Sequence, residues 1–308
     1  KKYFVVLTEV YTMTTPILLF IAGLVILIVG ADLLVRGAAR LAAAFGVSPL
    51  VIGLPIVAIG TDSPEIAVSL QAAVNGQGDL TLGNVLGSNI FNILFILGIT
   101  ALLAPIVIAE QLIRKDAPIM LGVSLLALGL ASDGNLGFVD GMVLLLCMVV
   151  YVVFALRQSR LESTKVQNEY AEEFAEKQPR TTKNMLIYLL FILAGLGLLV
   201  WGSRWLVDSA VFIAKALGVS ELVIGLTIVA VGTSLPEVAT SIIAALKKES
   251  DIAVGNAVGS NIFNLLGVLG LGAFLAPEGI SVARHVLMLD FLVMVFVALV
   301  CLPVFYID

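Results

Sequence analysis

Residues 46–73, GVSPLVIGLPIVAIGTDSPEIAVSLQAA, return at 218–245 as GVSELVIGLTIVAVGTSLPEVATSIIAA. Residues 79–105 return at 251–277, and the register between the copies is 172 residues throughout, without a gap. Well over half of the paired positions are identical, where shared apolar composition alone would give roughly one in ten. The chain is a duplication, and its fold has to house the same unit twice.

Composition identifies the solvent. Hydrophobic residues make up 60% of the 308, charged residues 13%, and the mean hydropathy is +1.11. No water-soluble domain needs so much apolar surface to build a core. Apolar stretches of about 20 residues, the length that crosses a bilayer as helix, recur almost continuously from Pro16 onward. They predict nine spans, at 16–44, 49–74, 80–104, 117–133, 138–156, 186–215, 221–246, 252–276 and 284–306. The runs are continuous rather than alternating, which argues against a β-barrel. Five spans separate the first helix of one copy from the first helix of the other, and an odd number turns the second copy upside down.

The expected fold class is therefore an all-α polytopic membrane protein of two inverted-topology repeats of five helices, with helices 2 and 7 broken at the core. The chain ends at Asp308 after the ninth span, so the last helix of the second repeat is expected to be absent from it. The expected organisation is an N-terminal extension at 1–15, a first repeat at 16–156, a linker loop at 157–184 and a second repeat at 185–308. Positive charge orients the whole. With the N-terminus outside, the inner face receives Arg36, Arg40, Arg114, Lys115, the basic residues of the central loop, Lys247 and Lys248. The outer face keeps Lys1, Lys2, Lys215 and Arg284, and Arg204 lies within a span. The linker is then cytoplasmic and the membrane a plasma or inner membrane. Cys147 and Cys301 fall within spans without metal or disulfide spacing, and read as packing residues.

The blocks GTDSPE and GTSLPE place acids where hydrocarbon should be. Pro64 has no N–H and its ring clashes with the carbonyl four residues back, so helix 2 must kink or break around Gly60; Pro236 does the same at Gly232. Carbonyls freed by a break, such as those of Ala58, Ile59 and Gly60, need protein, water or an ion as partner. Beside each break stands a carboxylate, Glu65 and Glu237, costing about 2.5–3.5 kcal/mol at mid-span. Thr61, Thr233 and Ser234 add hydroxyls, and hard cations take oxygen ligands of this kind. The competing reading pairs each Glu with an Arg, for which only Arg204 lies deep enough. GNVLGSNIFN and GNAVGSNIFN repeat the theme: Ser88 and Asn92 share a helix face, as do Ser260 and Asn264. Broken helices of inverted repeats meeting near the midplane point to an alternating-access carrier. An empty, doubly negative site is costly to move through a low-dielectric barrier, so such a carrier exchanges rather than leaks.

The paired GTDSPE/GTSLPE and GSNIFN blocks, agreeing in order and spacing over both halves, resemble the sodium/calcium exchanger family of the calcium/cation antiporters. The resemblance implies a ten-helix fold in which helices 2, 3, 7 and 8 surround the cation sites and helices 1 and 6 slide across them. It implies Glu65 and Glu237 as central ligands of Ca²⁺ and Na⁺, with oxygens from Thr61, Thr233, Ser234, Ser88 and Ser260. Backbone carbonyls of Ala58 and Ala230 and flanking contacts from Asn92 and Asn264 complete the set. No cofactor is implied, only the transported ions and the lipid bilayer. Two departures matter: Asp62 stands where the second block has Ser234, as a third carboxylate that joins the site or points away from it, and Asn264 stands where many sodium/calcium exchangers carry Asp. H⁺/Ca²⁺ and K⁺-dependent exchange stay open as alternatives; against the proton branch, its members typically carry Asn where this chain has Thr61 and Thr233. An intramembrane acid–base enzyme is the remote alternative, lacking any His partner or nucleophile motif.

Overall fold

The computed structural model describes residues 2–45, 57–103, 110–173, 181–219 and 230–305. Its helices in chain order are α1 (Lys2–Phe45), α2 (Ala58–Thr61), α3 (Ser63–Val74), α4 (Gly78–Leu103), α5 (112–131), α6 (Phe138–Glu173), α7 (Thr182–Ala216), α8 (Ala230–Thr233), α9 (Leu235–Leu246), α10 (Ser250–Leu275) and α11 (Val286–Phe305). Six of them, counting the 13–45 and 138–155 parts of α1 and α6, are long and apolar enough to cross a bilayer. The predicted breaks in helices 2 and 7 appear as the α2/α3 and α8/α9 pairs.

The duplication is visible in the backbone. Each broken helix resumes at a Pro-containing first turn, Ser63–Pro64 and Leu235–Pro236. Inside α4 and α10 the chain loosens into π-helix at Asn92 and again at Asn264, the same position of each copy. A π segment opens α5 and another opens α11. Such inserted turns disturb the i to i−4 ladder and recur at functional sites.

α1 and α7 pack antiparallel along a glycine seam. A Cβ on Gly30 would lie 2.8 Å from the Leu199 amide nitrogen, and one on Gly202 2.7 Å from that of Leu27. Close backbone approach of this kind is how helices associate where water supplies no driving force. The buried apolar residues of α1 and α7 cluster with α9 and the first turn of α10, and none belongs to the larger cluster built by α4, α5, α6, α10 and α11. The α1/α7 pair is thus a separate packing unit leaning on the core. Its outer faces, with Leu18, Val25, Leu190 and Trp201 exposed, suit lipid.

A two-residue antiparallel pairing, β1 (Asn135–Leu136) with β2 (Ile280–Ser281), ties the α5–α6 turn to the α10–α11 turn. Both turns therefore lie on one membrane face, as an inverted arrangement requires. Two boundaries differ from expectation. α1 begins at Lys2 rather than near residue 16, because Lys2–Thr15 has no helix breaker before Pro16 and Pro16 is absorbed within the helix. The linker expected from 157 is helical to Glu173, as a continuation of α6. The first parts of the spans expected at 49–74 and 221–246, through residues 56 and 229, lie outside the described residues.

Candidate functional site

Each break exposes backbone that the sequence then covers. Pro64 cannot donate to Gly60, and the Ser63 hydroxyl donates to the Gly60 carbonyl instead, at 2.7 Å. The Ala58 carbonyl accepts the Asp62 amide at 2.9 Å and the Thr61 hydroxyl at 3.2 Å. These two carbonyls, expected without partners, are thus engaged within the helix turn. The second copy differs: Leu235 replaces Ser63, and the Ser234 amide turns to Val231 at 3.2 Å rather than to Ala230. The turn residues of the two breaks, Asp62 and Ser234, sit two positions beyond Gly60 and Gly232.

Past each break the new helix delivers its acid in the first turn, and the two helices point theirs at each other. One carboxylate oxygen from each of Asp62, Glu65 and Glu237 lies within 4.8 Å of the others, and all three residues are about 1% exposed. At that separation each pair of ionised carboxylates repels by about 3 kcal/mol for an effective dielectric near 20. No basic side chain is bonded to them among the described residues, and Arg204 is exposed. The reading that paired each Glu with Arg204 therefore fails.

The hydroxyls divide unequally between the copies. Ser234 donates to Glu65 Oε1 at 2.9 Å and lies 3.3 Å from the Ser88 hydroxyl. On the other side Asp62 replaces that serine, and both Asp62 oxygens, both Glu237 oxygens and the Ser260 hydroxyl are buried without a hydrogen-bond partner, as is Glu65 Oε2. Leaving buried acceptors unmatched costs about 1–3 kcal/mol each, so this cluster is built for something that supplies positive charge.

Asn84 and Asn256, which sequence reasoning missed, hold the site together. The Asn84 amide donates to Ser69 Oγ at 2.9 Å and to the Glu65 carbonyl at 3.4 Å, and Asn256 does the same to Ser241 at 3.1 Å and Glu237 at 3.4 Å. Their amide oxygens face the opposite copy: Thr61 donates to Asn256 at 3.1 Å and Thr233 to Asn84 at 3.5 Å. Thr61 and Thr233 thus bridge the copies. Both asparagines stand in the quoted GN pairs, four residues before Ser88 and Ser260, so the signal was the repetition itself. Asn92 donates to Asn261 Oδ1 at 3.1 Å and keeps its own oxygen unpartnered, and Asn264 is buried with both amide atoms unpartnered. Of the side chains named from sequence, Asp62, Glu65 and Glu237 form one cluster that Ser234 and Ser88 join, Thr61 and Thr233 bond the asparagines behind it, and Ser260, Asn92 and Asn264 are buried with unpartnered polar atoms.

A profile of the sodium/calcium exchanger protein family matches residues 15–157 and 187–308. The chain belongs to that family. It is 41% identical over 265 residues to the inner membrane protein YrbG of Escherichia coli K12, covering 85% of this chain and 81% of that one. It is 31% identical to the sodium/calcium exchanger MaX1 of Methanosarcina acetivorans, covering 94% and 91%. A solved structure of the sodium-calcium exchanger NCX_Mj superposes with a TM-score of 0.81 at 30% identity, covering 94% of this chain and 90% of the other. The fold is that of an all-helical membrane exchanger, and the inverted repeats are consistent with it. The molecule is a cation antiporter integral to the membrane, and not an enzyme.

Proposed function

We propose that this exchanger moves Na⁺ against Ca²⁺ by alternating access, with Glu65 and Glu237 as the ligands both ions share. The observation that carries the reading is the convergence of carboxylates from two oppositely oriented helix starts, fully buried, with unmatched oxygens and no basic partner among the described residues. Oxygen-only ligation by carboxylates and hydroxyls suits hard cations of the Ca²⁺ and Na⁺ type. Ser234, Ser88, Ser260, Thr61 and Thr233 line the same crossing, Ala230 contributes a backbone carbonyl while that of Ala58 is engaged within its own turn, and Asn92 and Asn264 flank it. Similarity to proteins named sodium/calcium exchangers supports the choice of ions. Loaded, the acids are neutralised and the site can change sides; empty, it stays put.

Asp62 favours one variation. Three carboxylates against a single divalent ion leave a negative charge, which a monovalent cation would balance, so K⁺-dependent or H⁺-linked Ca²⁺ exchange is the second reading. Purified protein in liposomes, assayed for ⁴⁵Ca²⁺ uptake under an outward Na⁺ gradient with and without K⁺, separates the two. Uptake driven by Na⁺ alone supports the first reading; uptake that also needs K⁺, or that follows a pH gradient without Na⁺, supports the second. For sidedness we adopt an outside N-terminus and a cytoplasmic segment between α6 and α7, on the distribution of Lys and Arg, with 16–156 and 185–308 as the two repeats.

A further inference from the structure

The ion pairs of α1 break the two-copy symmetry a second time, away from the Asp62/Ser234 difference in the site. Asp32 receives Arg36 Nε at 2.7 Å from one turn along the helix, and Lys247 Nζ bonds its other carboxylate oxygen. Lys247 Nζ also reaches the Asp32 backbone carbonyl at 3.4 Å. Lys247 is the C-cap of α9, where the helix dipole already favours positive charge. The 172-residue register places Arg204 at the position of Asp32, Asp208 at that of Arg36 and Asn75 at that of Lys247. Acid and base are exchanged between the copies, and the third partner has lost its charge. A reciprocal ion pair between Arg204 and the end of α3 is not available.

The packing is one-sided in the same sense. Among the described residues α1 lies along α9 and touches α10, whereas α7 has no comparable packing on α3. In an inverted-repeat carrier, closure on one face is the repeat image of closure on the other. The observed arrangement is the one closed on the face that carries the Lys247 turn.

We propose that Asp32 and Lys247 are positioning residues for the exchange cycle: their ion pair latches the α1/α7 unit against α9 and favours closure on that face. The proposal rests on the alternating-access reading above. The opposite arrangement brings Arg204 toward Asn75, which offers no counter-charge, so one residue pair biases the resting equilibrium.

The test uses the full chain in lipid with Cys147 and Cys301 replaced by alanine and spin labels at the exposed positions Val74 and Leu217. These flank the opposite gate, at the ends of α3 and α7, and approach each other when it closes. Double electron–electron resonance then reads the short- and long-distance populations. Asp32→Asn and Lys247→Gln should each raise the short population relative to the long about two- to five-fold, the scale of a partly exposed ion pair, while Lys247→Arg keeps the parent distribution. Asn75→Glu, which gives Arg204 a partner, should raise it by a similar factor and stands alone if the first variants fail to fold. Unchanged distributions in Lys247→Gln and Asn75→Glu would overturn the latch. The readout needs no ion flux: a shift in a protein that does not exchange Na⁺ for Ca²⁺ supports the latch and removes only the ion assignment.

Discussion

Glu65 and Glu237 owe their places to a local rule, an acid in the first turn of a helix restarted at proline, applied twice. Glu65→Gln or Glu237→Gln should lower gradient-driven Ca²⁺ flux by at least about tenfold, since a charge-assisted contact is worth about 1.5–3 kcal/mol, while the protein elutes as folded material in size-exclusion chromatography. Near-normal exchange in either variant would remove these residues from the site. Asp62→Ser makes the two halves alike; with the carboxylate facing the cluster, it should weaken Ca²⁺ binding or alter the requirement for a monovalent ion, seen by calorimetric titration in matched Na⁺ and K⁺ buffers. An identical isotherm would place Asp62 outside the ion's reach. The sequence showed these acids plainly, because a carboxylate in an apolar run has few other reasons to be there. Whether Asp62 faced inward was not legible, since that depends on where the helix breaks, and the turn falls at Asp62 itself rather than at Gly60.

At the scale of elements, two devices keep helices in register. Asn84 and Asn256 fasten each acid-bearing helix to its neighbour and, through Thr233 and Thr61, to the opposite copy. Asn256→Ala removes the buried hydrogen bonds to Thr61, Ser241 and the Glu237 carbonyl and should destabilise the detergent-solubilised protein by about 1–3 kcal/mol, read as a lower Tm in the absence of ions. The glycine seam is the other device. A side chain at Gly202 would strike the backbone at Leu27, so Gly202→Val should separate α1 from α7 and lower Tm with a penalty of about 1–3 kcal/mol, whereas an unchanged Tm would contradict the close approach. Six of the nine expected span positions were legible among the described residues, because hydropathy reports length. The π turns at Asn92 and Asn264 and the run of α6 to Glu173 were not, because both depend on how neighbouring turns pack rather than on composition.

For the molecule as a whole, the gapless register of the repeats carried the architecture, and the backbone repeats its breaks and π turns at the same offset. The proposed sidedness rests on the distribution of Lys and Arg. A membrane-impermeant maleimide should label Ser163→Cys only after cells are opened, and labelling of intact cells would reverse the orientation. The coupling ion was not readable from sequence, because Na⁺, K⁺ and H⁺ all answer to the same oxygens. The central claim is that acids from two oppositely oriented copies share one transported cation, and its most direct test is ⁴⁵Ca²⁺ uptake into liposomes carrying the purified protein, under imposed Na⁺, K⁺ or H⁺ gradients in turn. The account predicts uptake driven by an outward Na⁺ gradient and lost in both Glu65→Gln and Glu237→Gln; uptake that ignores Na⁺, or that survives either substitution, would contradict it.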